Sequence, residues 1–400
     1  MTPEKDKEPT ETAVSGEDAL SLSRMSALFL KIGAIGFGGG MAVIALMEHE
    51  FVEKRKAVPA EEFIHGVGLG QVLGPFAVNA AFFVGYRRHG LAGAVAATIA
   101  FLLPSVTLVI LLSFLYFRYH TIPALQGVLL GLGPVVIALI LAAAWSMGKK
   151  VMSRWPAVAL GVAGLVTGTL RLNAVWVLLT AGVFGLVLGR KRLGLAGVKK
   201  SSAGKEKLKR LASIVPPVLP LGAVASIISL GEVGLTFLKV GMVFFGGGFI
   251  LIPILNHRIV EQLHWLTPRE FLDGVAISNL TPGPIAVLAT FTGFHIHGVL
   301  GAVLATAALF TPAMVLMTLI SVGYERLKES SRAQDFLSGV GPTVVGLVAS
   351  AALILWHSAI PSWRAVLLGV LALALLVRFK WHPAFVLALG AALAGLGVLP

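Results

Sequence analysis

Apolar runs of about 17 to 25 residues recur along the chain, and a run of that length crosses the roughly 30 Å hydrocarbon core of a bilayer as helix. They fall at about 25–47, 64–85, 91–117, 123–147, 156–170 and 173–189, then at 211–230, 234–255, 271–294, 298–322, 336–356, 361–378 and 382–399. A soluble core cannot absorb this much apolar chain: 56% of the 400 residues are hydrophobic and 13% charged, where soluble domains carry roughly a quarter. A β-barrel needs alternating segments, and stretches such as 127–147 show no alternation. The chain therefore reads as an all-α polytopic membrane protein.

Lys and Arg number 32 against 19 Asp and Glu, a net charge of +13. The basic residues gather at the ends of apolar runs, as expected where they hold loops on the cytoplasmic side, so no nucleic-acid partner is expected. With no cysteine, disulfides, thiol catalysis and thiolate metal sites are excluded. Residues 1–24 begin polar and acidic, without a basic start and short apolar core, and read as a disordered cytosolic tail rather than a signal peptide.

One register joins the two halves. Adding 208 carries Phe29, Lys31, Gly33 and Phe37 through Gly40 onto Phe237, Lys239, Gly241 and Phe245 through Gly248. The same offset takes His49 and Glu53 to His257 and Glu261, Gly85 to Gly293, His89 to His297, Pro104 to Pro312 and Trp155 to Trp363. Repeats of about six segments thus occupy 25–189 and 233–400, joined over 190–232 by a basic linker and one extra apolar segment without a first-half twin. If that segment crosses, the second repeat enters from the opposite side. From a cytoplasmic N-terminus, second-half loops counted as inside then carry Arg258, Arg269, Arg326, Lys328, Arg332, Arg378 and Lys380, and those outside only Arg364. Inverted repeats follow, with Lys54, Arg55 and Lys56 as an outside exception in the first half.

Two glycine triplets, Gly38, Gly39, Gly40 and Gly246, Gly247, Gly248, interrupt apolar segments where each glycine costs on the order of 1 kcal/mol of helix stability. Either they unwind to turn N–H groups toward an anion, or they let helices pack closely. Lys31 and Lys239 sit seven residues earlier on the same helix face, as charge partners for an oxyanion or as lysines reaching for the interface. Gly74-Pro75 and Pro282-Gly283-Pro284 break the second segments, with Gln71, Asn79, Asn279 and Thr281 as neutral donors; a plain kink is the other reading. Pairing these two motifs requires a one-residue local shift.

Glu48 follows the first glycine segment where the second half has Asn256, making Glu48 and His49 candidates for proton coupling or a solvated helix end. His295 and His297 lack a third ligand, so no metal is expected, nor any cofactor. No Walker sequence, catalytic carboxylate pair or nucleophile elbow points to an enzyme.

The pattern Phe29-Leu30-Lys31-Ile32-Gly33, Phe37-Gly38-Gly39-Gly40, Gly74-Pro75, Gly90-Leu91-Ala92-Gly93-Ala94 and Leu103-Pro104, with its copy over 237–312, resembles the chromate transporter family. Many long members end the first glycine motif with proline, where this chain has Gly40, Met41 and Ala42. The resemblance implies a multi-pass bacterial inner-membrane exporter of chromate, with sulfate as structural analogue, driven by the proton-motive force. An uncoupled anion channel with the same site is the alternative. Expected partners are the inorganic oxyanion, protons and membrane lipid, with a homodimer as an open assembly.

Overall fold

The computed structural model describes residues 20–36, 40–60, 62–63, 66–67, 70, 74–119, 122–193, 229–244, 248–327 and 331–396. Most of the expected cytosolic tail, the linker and extra segment over 194–228, Gln71, and Gly38, Gly39, Gly246 and Gly247 lie outside the described residues. The first half contains α1 (Leu22–Ile35), α2 (Gly40–Met47) continuing as a π-type turn over Glu48–Lys54, α3 (Phe76–Tyr119), α4 (Pro123–Leu130), α5 (Leu132–Val151), α6 (Trp155–Thr169) and α7 (Ala174–Leu193). The second contains α8 (Leu230–Met242), a 3-10 turn (Gly248–Ile250), α9 (Leu251–Leu255) continuing as a π-type turn over Asn256–Gln262, and α10 (Pro268–Leu280). A 3-10 turn (Ile285–Val287), α11 (Leu288–Leu327), α12 (Ser331–Ala359), α13 (Trp363–Val377) and α14 (Pro383–Gly395) complete it. The π-type turns recur 208 residues apart, so the duplication extends to irregular backbone.

Among the described residues four stretches are long and apolar enough to cross a membrane: Phe76–Tyr119, Gln126–Val151, Ile285–Leu319 and Ser338–Ala359. Leu91, Ile99, Leu111, Val299, Leu300 and Leu319 on these helices are exposed, as a lipid-facing surface requires. The long helix α3 is two legs. At His89 (φ −139°, ψ 23°) and Gly90 (φ 60°, ψ −150°) the chain reverses, and Gly85 comes to rest on the Gly93 carbonyl and the Ala97 methyl. In α11 the same turn falls at Gly298 (φ 57°), with Gly293 against Gly301 and Ala305. A left-handed residue closes each turn and missing side chains let the legs touch.

The first two apolar segments of the first half are not the single spans that their length suggests. Gly66 packs on the Phe83 ring and Gly70 on Asn79, contacts that close symmetrically on Gly74 (φ 105°). The chain therefore turns back at Gly74-Pro75. In the second half Gly274 packs on Phe291 and Leu288, around a turn at Gly283 (φ 106°). Gly74 and Gly283 are 209 residues apart, which fixes the one-residue shift between the two motifs. The α1–α2 segment folds back likewise: Phe29 and Phe51 stack at 4.6 Å between ring centroids, and Gly36 lies on Val43. The legs, 14 residues in α1 and 13 in α10, rise only about 20 Å before the chain folds back on them, so these segments enter and leave on one side.

Contacts at the hairpin ends orient the halves. Arg88 donates to the Ala57 carbonyl (3.2 Å), Arg87 pairs with Glu62 (2.7 Å) and His89 meets the Leu20 carbonyl (2.8 Å), so the first-half hairpins open on one side. Three passes through the helical bundle later, along α3, α5 and α6, Arg171 reaches Glu261 (3.6 Å) at the end of the first hairpin of the second half. The two homologous repeats are therefore inverted. Their interface includes α12 packed on α5, α6 and α7, with Gly164 on the Thr343 carbonyl and Gly346 on the Gly161 carbonyl.

Candidate functional site

Each hairpin tip comes apart because its residues cannot continue a helix, and the tips cross between halves. Helix α1 ends with Gly36 in a non-helical conformation, and the Gly36 carbonyl accepts from the Gly283 N–H (3.3 Å) at the opposite tip. The symmetry mate of Gly36 is Phe244, and its carbonyl lies directly on Gly74. Within each half, Gly40 lies on the Phe76 ring and Gly248 on the Ile285 side chain. Four breaks from two halves thus meet in one cluster. The N-terminal ends of the helical turns beginning at Gly40, Phe76, Gly248 and Ile285 belong to it, and helix N-termini carry partial positive charge and free N–H donors. Ser105 ties the cluster across the interface by donating to the Pro282 carbonyl.

The expected site residues separate into groups on this frame. Gly40, Gly74, Pro75, Gly248, Pro282, Gly283 and Pro284 are in the cluster or adjoin it. Asn79 is buried and donates to the Gly70 carbonyl (3.2 Å) across its own hairpin; its Oδ1 is buried without a partner. Asn279 donates to the Val275 carbonyl (2.8 Å) and Thr281 to the Ser278 carbonyl (3.1 Å), so both close the end of α10. Lys239 is half-buried in the last turn of α8, whereas Lys31 is exposed, about one turn before Gly36.

Glu48 is half-buried and His49 exposed at the far end of the first hairpin. His49 meets Glu53 at 2.8 Å, and its mate His257 meets Glu261 at 2.9 Å. The pair thus recurs at the same place in the π-type turn of each half. Glu50 is engaged by Arg55, which also donates to the Glu50 carbonyl. No group of three or more metal-ligating side chains occurs among the described residues.

Two buried polar residues, one at the cluster and one about 13 Å from it along α10, escape sequence reasoning. Ser105 is one of many small residues in an apolar segment, and nothing local marks it. Asp273 carries a signal: it is the one carboxylate inside the apolar segment 271–294, where acidic residues are costly. It is 1% exposed and accepts from the Tyr116 hydroxyl of the other half (2.9 Å).

A family model described as chromate transporter matches residues 23–186 and 231–396, one match per half. A probable chromate transport protein of Synechococcus elongatus is 31% identical over 360 residues, 89% of this chain and 90% of that protein. A chromate transport protein of Cupriavidus metallidurans is 28% identical over 404 residues, 98% of each chain. One of Pseudomonas aeruginosa is 32% identical over 337 residues, 82% of this chain and 80% of that protein. No solved structure matches.

Proposed function

We propose, for a chain that belongs to the chromate transporter family, that it exports chromate or a related tetrahedral oxyanion such as sulfate through the crossed hairpin tips, using the proton-motive force across a bacterial inner membrane. The observation that carries this reading is the meeting of four chain breaks between inverted halves. Secondary transporters bind substrate at such discontinuities near the bilayer midplane, where helix N-termini face the anion. Loop charge supports a cytoplasmic N-terminus: with both first-half segments re-entrant, Lys54, Arg55 and Lys56 move to the inside with Arg87, Arg88, Lys149, Lys150 and Arg154. The same change moves Arg258 and Arg269 outside; the first half gains more than the second loses.

Inverted membrane vesicles test the activity. Labelled chromate should accumulate in the lumen, compete with sulfate, and accumulate several-fold more when the lumen is acid. Uptake that only equilibrates, with or without the gradient, would make the protein an anion channel; no uptake above protein-free vesicles would contradict both readings.

The lysines are the proposed counter-charges, because a dianion leaving water needs compensating charge in a low-dielectric site. Lys239→Gln should lower transport more than about tenfold with expression unchanged, the scale of losing one partner of a desolvated charge pair. Lys31→Gln should act in the same direction and less strongly, since Lys31 is the more exposed of the two. Wild-type rates in both variants would reduce the pair to interface-seeking lysines.

A further inference from the structure

The buried carboxylate of Asp273 lies away from the crossed tips, and its surroundings are unusual for a structural aspartate. It lies in α10, about one and a half turns inside a start fixed by the Thr267–Glu270 capping box. One oxygen, Oδ2, takes both the Tyr116 hydroxyl (2.9 Å) and Arg269 Nε (3.5 Å). The other, Oδ1, is buried with no hydrogen-bond partner. An aspartate buried to fix structure ordinarily has donors on both oxygens, because an ionised carboxylate left half bare in a low-dielectric interior is costly. Arg269 and Tyr116 favour the ionised form here, while burial and the bare oxygen oppose it. The charged and titratable groups acting on the carboxylate are Tyr116 across the interface and Arg269 and Glu270 on its own helix. The matching first-half position in sequence is His65, so this carboxylate is confined to one half.

Its location connects it to the tips. On α3, Ser105, Val109, Ser113 and Tyr116 are all buried, and their spacing places them on one helical face. Tyr116 meets Asp273 at one end of this face and Ser105 meets Pro282 at the other. Ser113 lies between them, its Oγ buried without a partner. The nine residues from Asp273 to Pro282 correspond to about 13 Å along α10. The Asp273 end lies toward the side of the membrane on which Arg171 meets Glu261.

We propose that Asp273 is the carboxylate that carries the coupling proton, taking it from the Arg171–Glu261 side, with the hydroxyl-bearing face of α3 joining it to the hairpin tips. A proton from water forms an O–H bond at Oδ1, which cancels the negative charge facing Arg269; release breaks that bond and restores the ion pair. This rests on the coupled-transport reading above.

The test uses the full chain, purified and reconstituted in liposomes, with labelled chromate as probe and two readouts: accumulation driven by an imposed pH gradient, and exchange of labelled for unlabelled chromate at equal pH. Asp273→Asn keeps the shape and an oxygen for Tyr116 but cannot carry the proton. Gradient-driven accumulation should fall to the level without a gradient, while exchange stays within about twofold of wild type. Tyr116→Phe removes a donor to the ionised form and should shift the pH profile of accumulation upward. Gradient-driven accumulation retained by Asp273→Asn would overturn the assignment while leaving coupled transport standing. Loss of exchange together with accumulation in Asp273→Asn, with an unmoved pH profile in Tyr116→Phe, would make Asp273 a structural tie and also overturn it. A wild-type protein indifferent to the gradient would instead defeat the coupled-transport reading itself.

Discussion

Gly74→Ala and Gly283→Ala should each abolish anion transport, and each should yield a protein that unfolds at lower temperature than wild type. Both residues hold φ near +105°, a region that side chains rarely enter, and strain of that kind costs of order 1 to 3 kcal/mol. The added methyl has nowhere to go. At Gly74 it is driven into the Phe244 carbonyl, and at Gly283 into the Ser105 hydroxyl. These obstacles differ in kind, and the difference makes the prediction specific. A backbone carbonyl at the opposite tip cannot be trimmed, so no side-chain substitution rescues Gly74→Ala. The Ser105 hydroxyl can be removed, so Ser105→Ala should restore part of the stability lost in Gly283→Ala, although it forfeits the bond to the Pro282 carbonyl. Thermal unfolding in detergent and labelled chromate uptake in vesicles read the two effects. Wild-type stability and uptake in both single variants would mean that the tips do not meet as described.

The duplication is legible in the sequence because glycines, prolines and the His-Glu pairs are spaced by tertiary demands that both halves share. Hydropathy reports the length of an apolar segment and is blind to its direction. A segment of 22 residues such as 64–85 reads as one crossing, whereas the contacts of Gly66 with Phe83 and Gly70 with Asn79 make it two legs of a hairpin. Gly74-Pro75 was visible as a break, but whether a break kinks a helix or reverses it depends on the neighbours packed against each leg. The one-residue shift between Gly74 and Gly283 has the same origin: the legs keep the 208-residue register, as Gly66–Phe83 and Gly274–Phe291 show, and only the left-handed glycine moves by one position within the turn.

Candidate site residues divide along similar lines. Backbone-acting positions such as Gly40, Gly74, Gly248 and Gly283 are readable, since few residues can replace glycine where a carbonyl or ring lies against the Cα. Polar residues chosen for proximity in sequence fare differently. Asn279 and Thr281 adjoin the tip, yet they bond their own helix, a common fate of short polar side chains near helix ends. Asp273 goes unremarked in the sequence reading although it is a carboxylate in apolar chain, and its partner Tyr116 is 157 residues away. A contact across an inverted interface leaves no mark in local spacing.

The proposed hold on the oxyanion is made by backbone at the glycine tips, between the halves. Its most direct measurement is the thermal unfolding of purified protein in the presence and absence of chromate and sulfate, for wild type, Gly39→Ala and Gly247→Ala. A ligand bound only by the folded state at a hundred times its Kd adds about 2.7 kcal/mol of stability. Alanine at either glycine adds one methyl, a modest cost if the triplets serve only helix packing, but it disfavours the positive φ values that a cradle of N–H groups would use. Wild type should therefore gain Tm with either anion, and both variants should lose that gain while their anion-free Tm moves little. Equal stabilisation of all three proteins, or none of wild type, would contradict the account.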